Sequence, residues 1–135
     1  HSVAVSKNED YLFLSETVDT MAFKKEALSS FIPVPDSLIT LVIKNLEIIA
    51  AYYRQKGFNE IIFAPIPNKV SIAAPSIGNY NHLIERILQQ PSQQFISVNP
   101  FKAFENSRQQ LYYSNDTHWN CYGREVWCSY ARQYF

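Results

Sequence analysis

A chain of 135 residues is long enough for one compact domain with a real core and too short for two ordinary ones. Its composition, 47% hydrophobic, 18% charged and 15% aromatic, is that of a folded protein and excludes a disordered chain. Twelve basic and twelve acidic residues cancel, so the chain as a whole offers no electrostatic footprint for nucleic acid or anionic lipid, and no nucleic-acid partner is expected.

The opening, Ser2 to Ser6, alternates polar and apolar residues; Asn8-Glu9-Asp10 is turn chemistry, and Tyr11 to Leu14 is a short apolar run, so two short strands or a hairpin are expected. Residues 15–35 carry no clean period and are expected to be loop with a helical turn around residues 24–30, closed by Pro33 and Pro35. Asp36 then stands as a candidate N-cap for a long helix that Gly57 stops, and its apolar positions cover so wide an arc that it should be clamped between a sheet and other structure. Glu60 to Ile66 reads as a central parallel strand with Pro65 at its end, and Pro67 to Pro75 as the loop leaving it, where open α/β sheets place their ligands. A helix over Asn81 to Gln90, a strand over Gln94 to Val98, a short helix over Phe101 to Ser107, a small strand over Leu111 to Tyr113 and a last helix from Cys121 to Tyr134, capped by Asn120, complete the order. Alternation of this kind predicts an α/β layered fold with a mostly parallel sheet. Cys121 and Cys128 lie on the last helix about 10 Å apart, beyond disulfide reach, and are expected to be free thiols. No apolar window approaches the ~18 residues of a membrane span. The N-terminus lacks both an initiating Met and a basic region followed by an apolar run, so an export signal or anchor is expected to have been cut away.

One stretch gathers chemistry. Asp116-Thr117-His118-Trp119 places a carboxylate, an imidazole and an indole within four residues. Two apart in an extended loop, Asp116 and His118 would leave the backbone on the same side, and the carboxylate could hold one ring nitrogen while the other acts as a general base. The nucleophile for such a base is missing: the glycines are Gly57, Gly78 and Gly123, none sits in a Gly-Asp-Ser or Gly-x-Ser-x-Gly turn, and neither Ser114 nor Ser76 occupies a strand-to-helix elbow. Taken alone, an Asp-x-His pair in a loop is more often a helix-entry hydrogen-bond arrangement than a catalytic one. Asp116, His118 and Cys121 with His82 match no common zinc spacing, so no metal and no cofactor is expected.

Three landmarks fall in one order: residues 5–14 (Val-Ser-Lys-Asn-Glu-Asp-Tyr-Leu-Phe-Leu), Ala64-Pro65-Ile66-Pro67-Asn68-Lys69, and residues 111–120 (Leu-Tyr-Tyr-Ser-Asn-Asp-Thr-His-Trp-Asn) with Gly123. Together they resemble the SGNH-hydrolase-like sugar O-acetyltransferases of the alginate-acetylation type, the AlgX and AlgJ group. The opening departs from that pattern at Ser6 and at Glu9-Asp10-Tyr11. The resemblance implies a three-layer SGNH-hydrolase-like α/β fold, incomplete here, with residues 1–135 as the N-terminal portion of one domain whose nucleophile segment follows outside this chain. It implies Asp116 and His118 as catalytic residues, and a periplasmic or extracytoplasmic location; beside it, Lys69 reads as a solvated loop charge whose place after a strand allows a substrate contact, and Trp119 as packing that holds the loop, with a carbohydrate platform as its second reading. It also implies, as partners, a cell-surface or secreted polysaccharide, an acetyl donor and membrane-associated proteins. Acetyl would pass through a serine acyl-enzyme to a sugar hydroxyl, or to water in an acetylesterase, and this chain alone would be inert. A catalytically inactive glycan- or protein-binding module of the same fold is the alternative, with a metal-dependent hydrolase behind it. Strands missing from a parallel sheet would leave an open edge, through which self-association is expected.

Overall fold

The opening strands pair as expected: β1 (Val3–Val5) runs antiparallel to β2 (Leu12–Leu14), with Ala4 opposite Phe13. The computed structural model describes residues 3–5, 10–14, 17, 18 and 29–135. The turn expected at Asn8 and Glu9, and most of the helical turn expected over residues 24–30, lie outside them. Within them the chain is a mixed α/β domain with five α-helices and two two-stranded sheets, one of them parallel.

Helix α1 (Asp36–Gln55) begins one residue earlier than the capping expectation. Pro35 holds the N-cap position, its carbonyl accepting from the amides of Leu38 and Ile39, while Asp36 falls in the first turn. There its carboxylate suits the positive end of the helix and meets Arg86 at 2.6 Å. Gly57, at φ +96°, supplies the left-handed stop. The wide apolar arc is not clamped as expected: Ile39 and Ala50 are buried, whereas Leu38, Leu41, Ile48, Ile49, Tyr52 and Tyr53 are exposed. The reason lies in the sheet that follows.

That sheet pairs only β3 (Ile62–Phe63) with β4 (Ile96–Ser97), in parallel, the amides of Ile96 and Val98 donating to Ile61 and Phe63 at 2.8 and 2.9 Å. Two-residue strands cannot cover a five-turn helix. The larger, mostly parallel sheet does not form among the described residues. Pro65 and Pro67 lack the amide hydrogens that would extend β3. Leu111–Tyr113 joins no sheet, and Tyr112 makes instead a single antiparallel bridge to Trp119. What the sheet keeps is a small aromatic core, Phe63 edge-to-face with Phe95 at 6.0 Å.

The segment after β3 is helical where a loop was expected. Asn68 accepts the Ser71 amide at 2.7 Å and so caps a short helix, α2 (Lys69–Ala73), followed by a 3-10 turn at Pro75–Ile77. Helix α3 (Leu83–Leu88) starts later than the period suggests, because His82 takes a left-handed conformation (φ +51°) and Asn81 is spent on the Leu83 amide and the carbonyls of Ser29 and Ile32. Helices α4 (Phe101–Glu105) and α5 (Cys121–Ala131) pack on each other, and α5 tightens into a 3-10 turn at Arg132–Tyr134.

Two apolar clusters result. Phe13, Phe31, Val70 and Ala74 form one, and Phe104, Leu111 and Tyr112 the other, with Tyr11 packed against both. Both cysteines are free thiols, and among the described residues no helix is long and apolar enough to cross a membrane.

Candidate active site

The loop between Tyr112 and Trp119 is closed at its neck by backbone bonds, from the Tyr113 amide to the His118 carbonyl (3.2 Å) and from the Asn120 amide to the Leu111 carbonyl (2.9 Å). Its tip is a turn and bend rather than the extended stretch expected, yet it brings the same two groups together. Asp116 Oδ1 accepts the His118 backbone amide at 2.9 Å and faces His118 Nδ1 at 2.5 Å. An Asp side chain bonded to the amide two residues on is a locally encoded turn, which is why spacing alone could foresee the pair. Those bonds, the backbone amide first and the imidazole second, hold the Asp116 carboxyl below the usual carboxylate range.

Beside an ionised carboxylate a neutral imidazole carries its proton on Nδ1, and in that form the Nε2 lone pair is free. No hydrogen bond to Nε2 is present among the described residues. The pair is open to water, with side chains 78% (His118) and 50% (Asp116) exposed. The arrangement can therefore orient a base, while shielding from water would have to come from whatever covers the loop.

The rest of the motif builds the platform. Asn120 Oδ1 accepts the Gly123 amide at 3.0 Å and caps α5, while its Nδ2 donates to the Gln110 carbonyl at 2.6 Å. At Gly123 a Cβ would lie 2.3 Å from the Leu111 carbonyl oxygen and 2.9 Å from Trp119 Cβ, so only glycine lets the helix come this close to the loop's neck. Trp119 packs edge-to-face on Trp127 at 6.0 Å, within the cluster of Phe104, Leu111 and Tyr112. It also lines a cleft of about 130 Å³ with Tyr113, Asn120, Cys121 and Arg124. That cleft is where Trp119 could meet a sugar.

Lys69 is placed differently from the solvent-facing side chain that a substrate contact requires. It is 3% exposed. Its Nζ donates to the carbonyls of Leu12 and Tyr113 (2.7 Å each), Asp116 (2.9 Å) and Ser114 (3.0 Å). The Tyr11 and Phe13 rings lie 4.9 and 5.3 Å away. Burial lowers its pKa, against the nearby Asp116 carboxylate that raises it. Two residues earlier, the Pro67 carbonyl accepts the Tyr112 hydroxyl, whose pKa burial raises. Sequence reading passed over both ties. The available signal was that Lys69 is the one Lys or Arg between Lys56 and Arg86, set among apolar residues.

Among the described residues neither candidate serine is hydrogen-bonded to the His118 ring. Ser114 Oγ accepts from Gln110 Nε2 at 2.8 Å, and Ser76 is exposed on the 3-10 turn. His82 meets Tyr80 edge-on (4.4 Å) and bonds to Glu85 (3.2 Å); among the described residues no three His, Cys, Asp or Glu side chains come together to hold a metal. A wider groove of about 590 Å³ runs along α5, lined by Tyr122, Glu125, Val126 and Tyr130 with Gln109 and Gln133. No protein-family model, curated protein or solved structure matches the chain.

Proposed function

We propose that the chain is the base-bearing part of an SGNH-like O-acetyltransferase acting on a cell-surface or secreted polysaccharide outside the cytoplasm. The carrying observation is the Asp116–His118 pair: one carboxylate oxygen fixes both the backbone and the ring of the histidine and leaves Nε2 free. In this mechanism His118 Nε2 takes the proton from a serine hydroxyl supplied by polypeptide outside this chain. The serine oxygen attacks the donor's acetyl carbonyl, and the donor's leaving oxygen departs with that proton. His118 then deprotonates a sugar hydroxyl, which attacks the acetyl-serine and regenerates the serine. With water as acceptor the same steps make an acetylesterase. The exposure of the pair fits this division, since a segment bringing the serine would also cover His118 and exclude water.

The test joins this chain to the coding sequence that follows it and measures acetyl release from a chromogenic acetyl ester and acetyl transfer to oligosaccharides. Activity absent from the 135-residue chain, present in the longer protein and lowered by at least ~10³-fold in His118→Ala is the expected result. A longer protein that is inactive, or active without His118, sinks the mechanism. The groove beside Tyr122 and Tyr130 favours the second reading, an inactive glycan-binding module; saturable oligosaccharide binding without any acetyl chemistry would establish it in place of the first.

A further inference from the structure

An ammonium taken out of water is tolerated only where its protons find strong acceptors. Lys69 shares three N–H donors among four carbonyls, and three of those carbonyls, at Tyr113, Ser114 and Asp116, belong to the loop that carries the Asp116–His118 pair. The fourth, at Leu12, ties the loop to β2, whose Leu12 amide in turn donates to the Ser114 carbonyl at 2.7 Å. The Asp116 carbonyl held at 2.9 Å fixes the backbone of the same residue whose carboxylate meets His118. Nothing else among the described bonds reaches the loop tip from outside it, apart from that Leu12 amide and the Gln110 side chain on Ser114.

We propose that Lys69 is a positioning residue: its ammonium holds the 113–116 backbone on β2 so that the Asp116 carboxylate keeps His118 in the Nδ1–H form. The role rests on the Asp116–His118 pair being the working base, and it replaces the substrate contact expected of this lysine. Its placement follows from the local fold, since Asn68 caps α2 and so sets Lys69 as the first residue of that helix, against the loop. An ammonium suits the site because it is a compact point charge that can face four carbonyls at once; a planar guanidinium cannot.

The test is nitrogen NMR of the His118 ring in the 135-residue chain at neutral pH and above. The wild type should show the Nδ1–H form. Lys69→Met keeps length and apolar bulk but removes the donors, and it should lose that form in favour of a mixture rich in Nε2–H, with the tryptophan side-chain signals of the core retained. Tyr112→Phe, which cuts the neighbouring tie and spares the lysine, should leave the His118 signal unchanged. A folded Lys69→Met with the wild-type His118 signal overturns the proposal. Should Lys69→Met fail to fold, the same signal is read on Lys69→Gln, which is shorter, uncharged and leaves at least two of the four carbonyls without a donor, and an unchanged tautomer there is equally fatal. In the unmutated protein, Lys69 must also be the last of Lys44, Lys56, Lys69 and Lys102 to be acylated by an amine reagent; labelling as fast as Lys44 overturns it too. None of these readouts depends on catalysis. An inactive longer protein whose His118 still follows Lys69 would defeat the acetyltransferase reading alone.

Discussion

Asp116 acts through a single oxygen that serves two donors of the same histidine, and this sets how the loop answers to acid. A carboxyl whose folded pKa is depressed stabilises the arrangement fully above its unfolded value, about 3.9, and loses that contribution as pH falls through the lower folded value. The side-chain carboxyl carbon of Asp116, followed by NMR, should therefore show its titration step below pH ~4. A midpoint at or above the ordinary carboxylate value would show that the bond does not form in solution. The pairing was legible in the sequence because it is made within three residues. Lys69 was not, because its burial depends on Leu12 and on Tyr113 to Asp116, which only the folded chain brings to it.

Among the elements, α5 shows how a motif can be architecture before it is chemistry. Asn120 caps it, Gly123 lets it touch the Leu111 carbonyl, and Trp119 packs edge-to-face on Trp127 further along it. Gly123→Ala should destabilise the chain by about 2–3 kcal/mol in urea unfolding, since backbone on one side and a packed Cβ on the other leave the new methyl no easy exit. A loss below ~0.5 kcal/mol would mean that helix and loop neck lie further apart than described. The Asn120 cap and the Gly57 stop were readable from residue type, since each acts on the backbone of its own helix end. Helix α2 was hidden by Pro65 and Pro67, which read as loop, although Asn68 with Ser71 three residues on is a capping spacing.

For the molecule as a whole, the feature that sequence patterning anticipated and the fold leaves unused is the outer face of α1. Hydrophobic period identified the helix correctly, but a period cannot say whether a partner layer exists, and a pair of two-residue strands is no such layer. Leu41, Ile48, Ile49 and Tyr52 remain more than half exposed on that face. The chain should self-associate with rising concentration in sedimentation velocity. Replacing Ile48 and Ile49 by Lys should reduce that association while changing stability by only about 0.5 kcal/mol per site, because neither side chain belongs to the core. A wild-type chain that stays monomeric throughout would show that the face is tolerated by water as it stands.

The lysine knot also has a history in time. Its acceptors lie 57 residues before it and 44 to 47 residues after it, so the ammonium cannot be satisfied until two long stretches of chain have closed around it. Closing such spans is entropically slow compared with winding α1 or α5. Until both are shut, the charge is better off in water and resists entry. The knot is thus tied after the helices and the local turns have formed, and it acts as a latch on the route out of the native state more than as a guide on the way in.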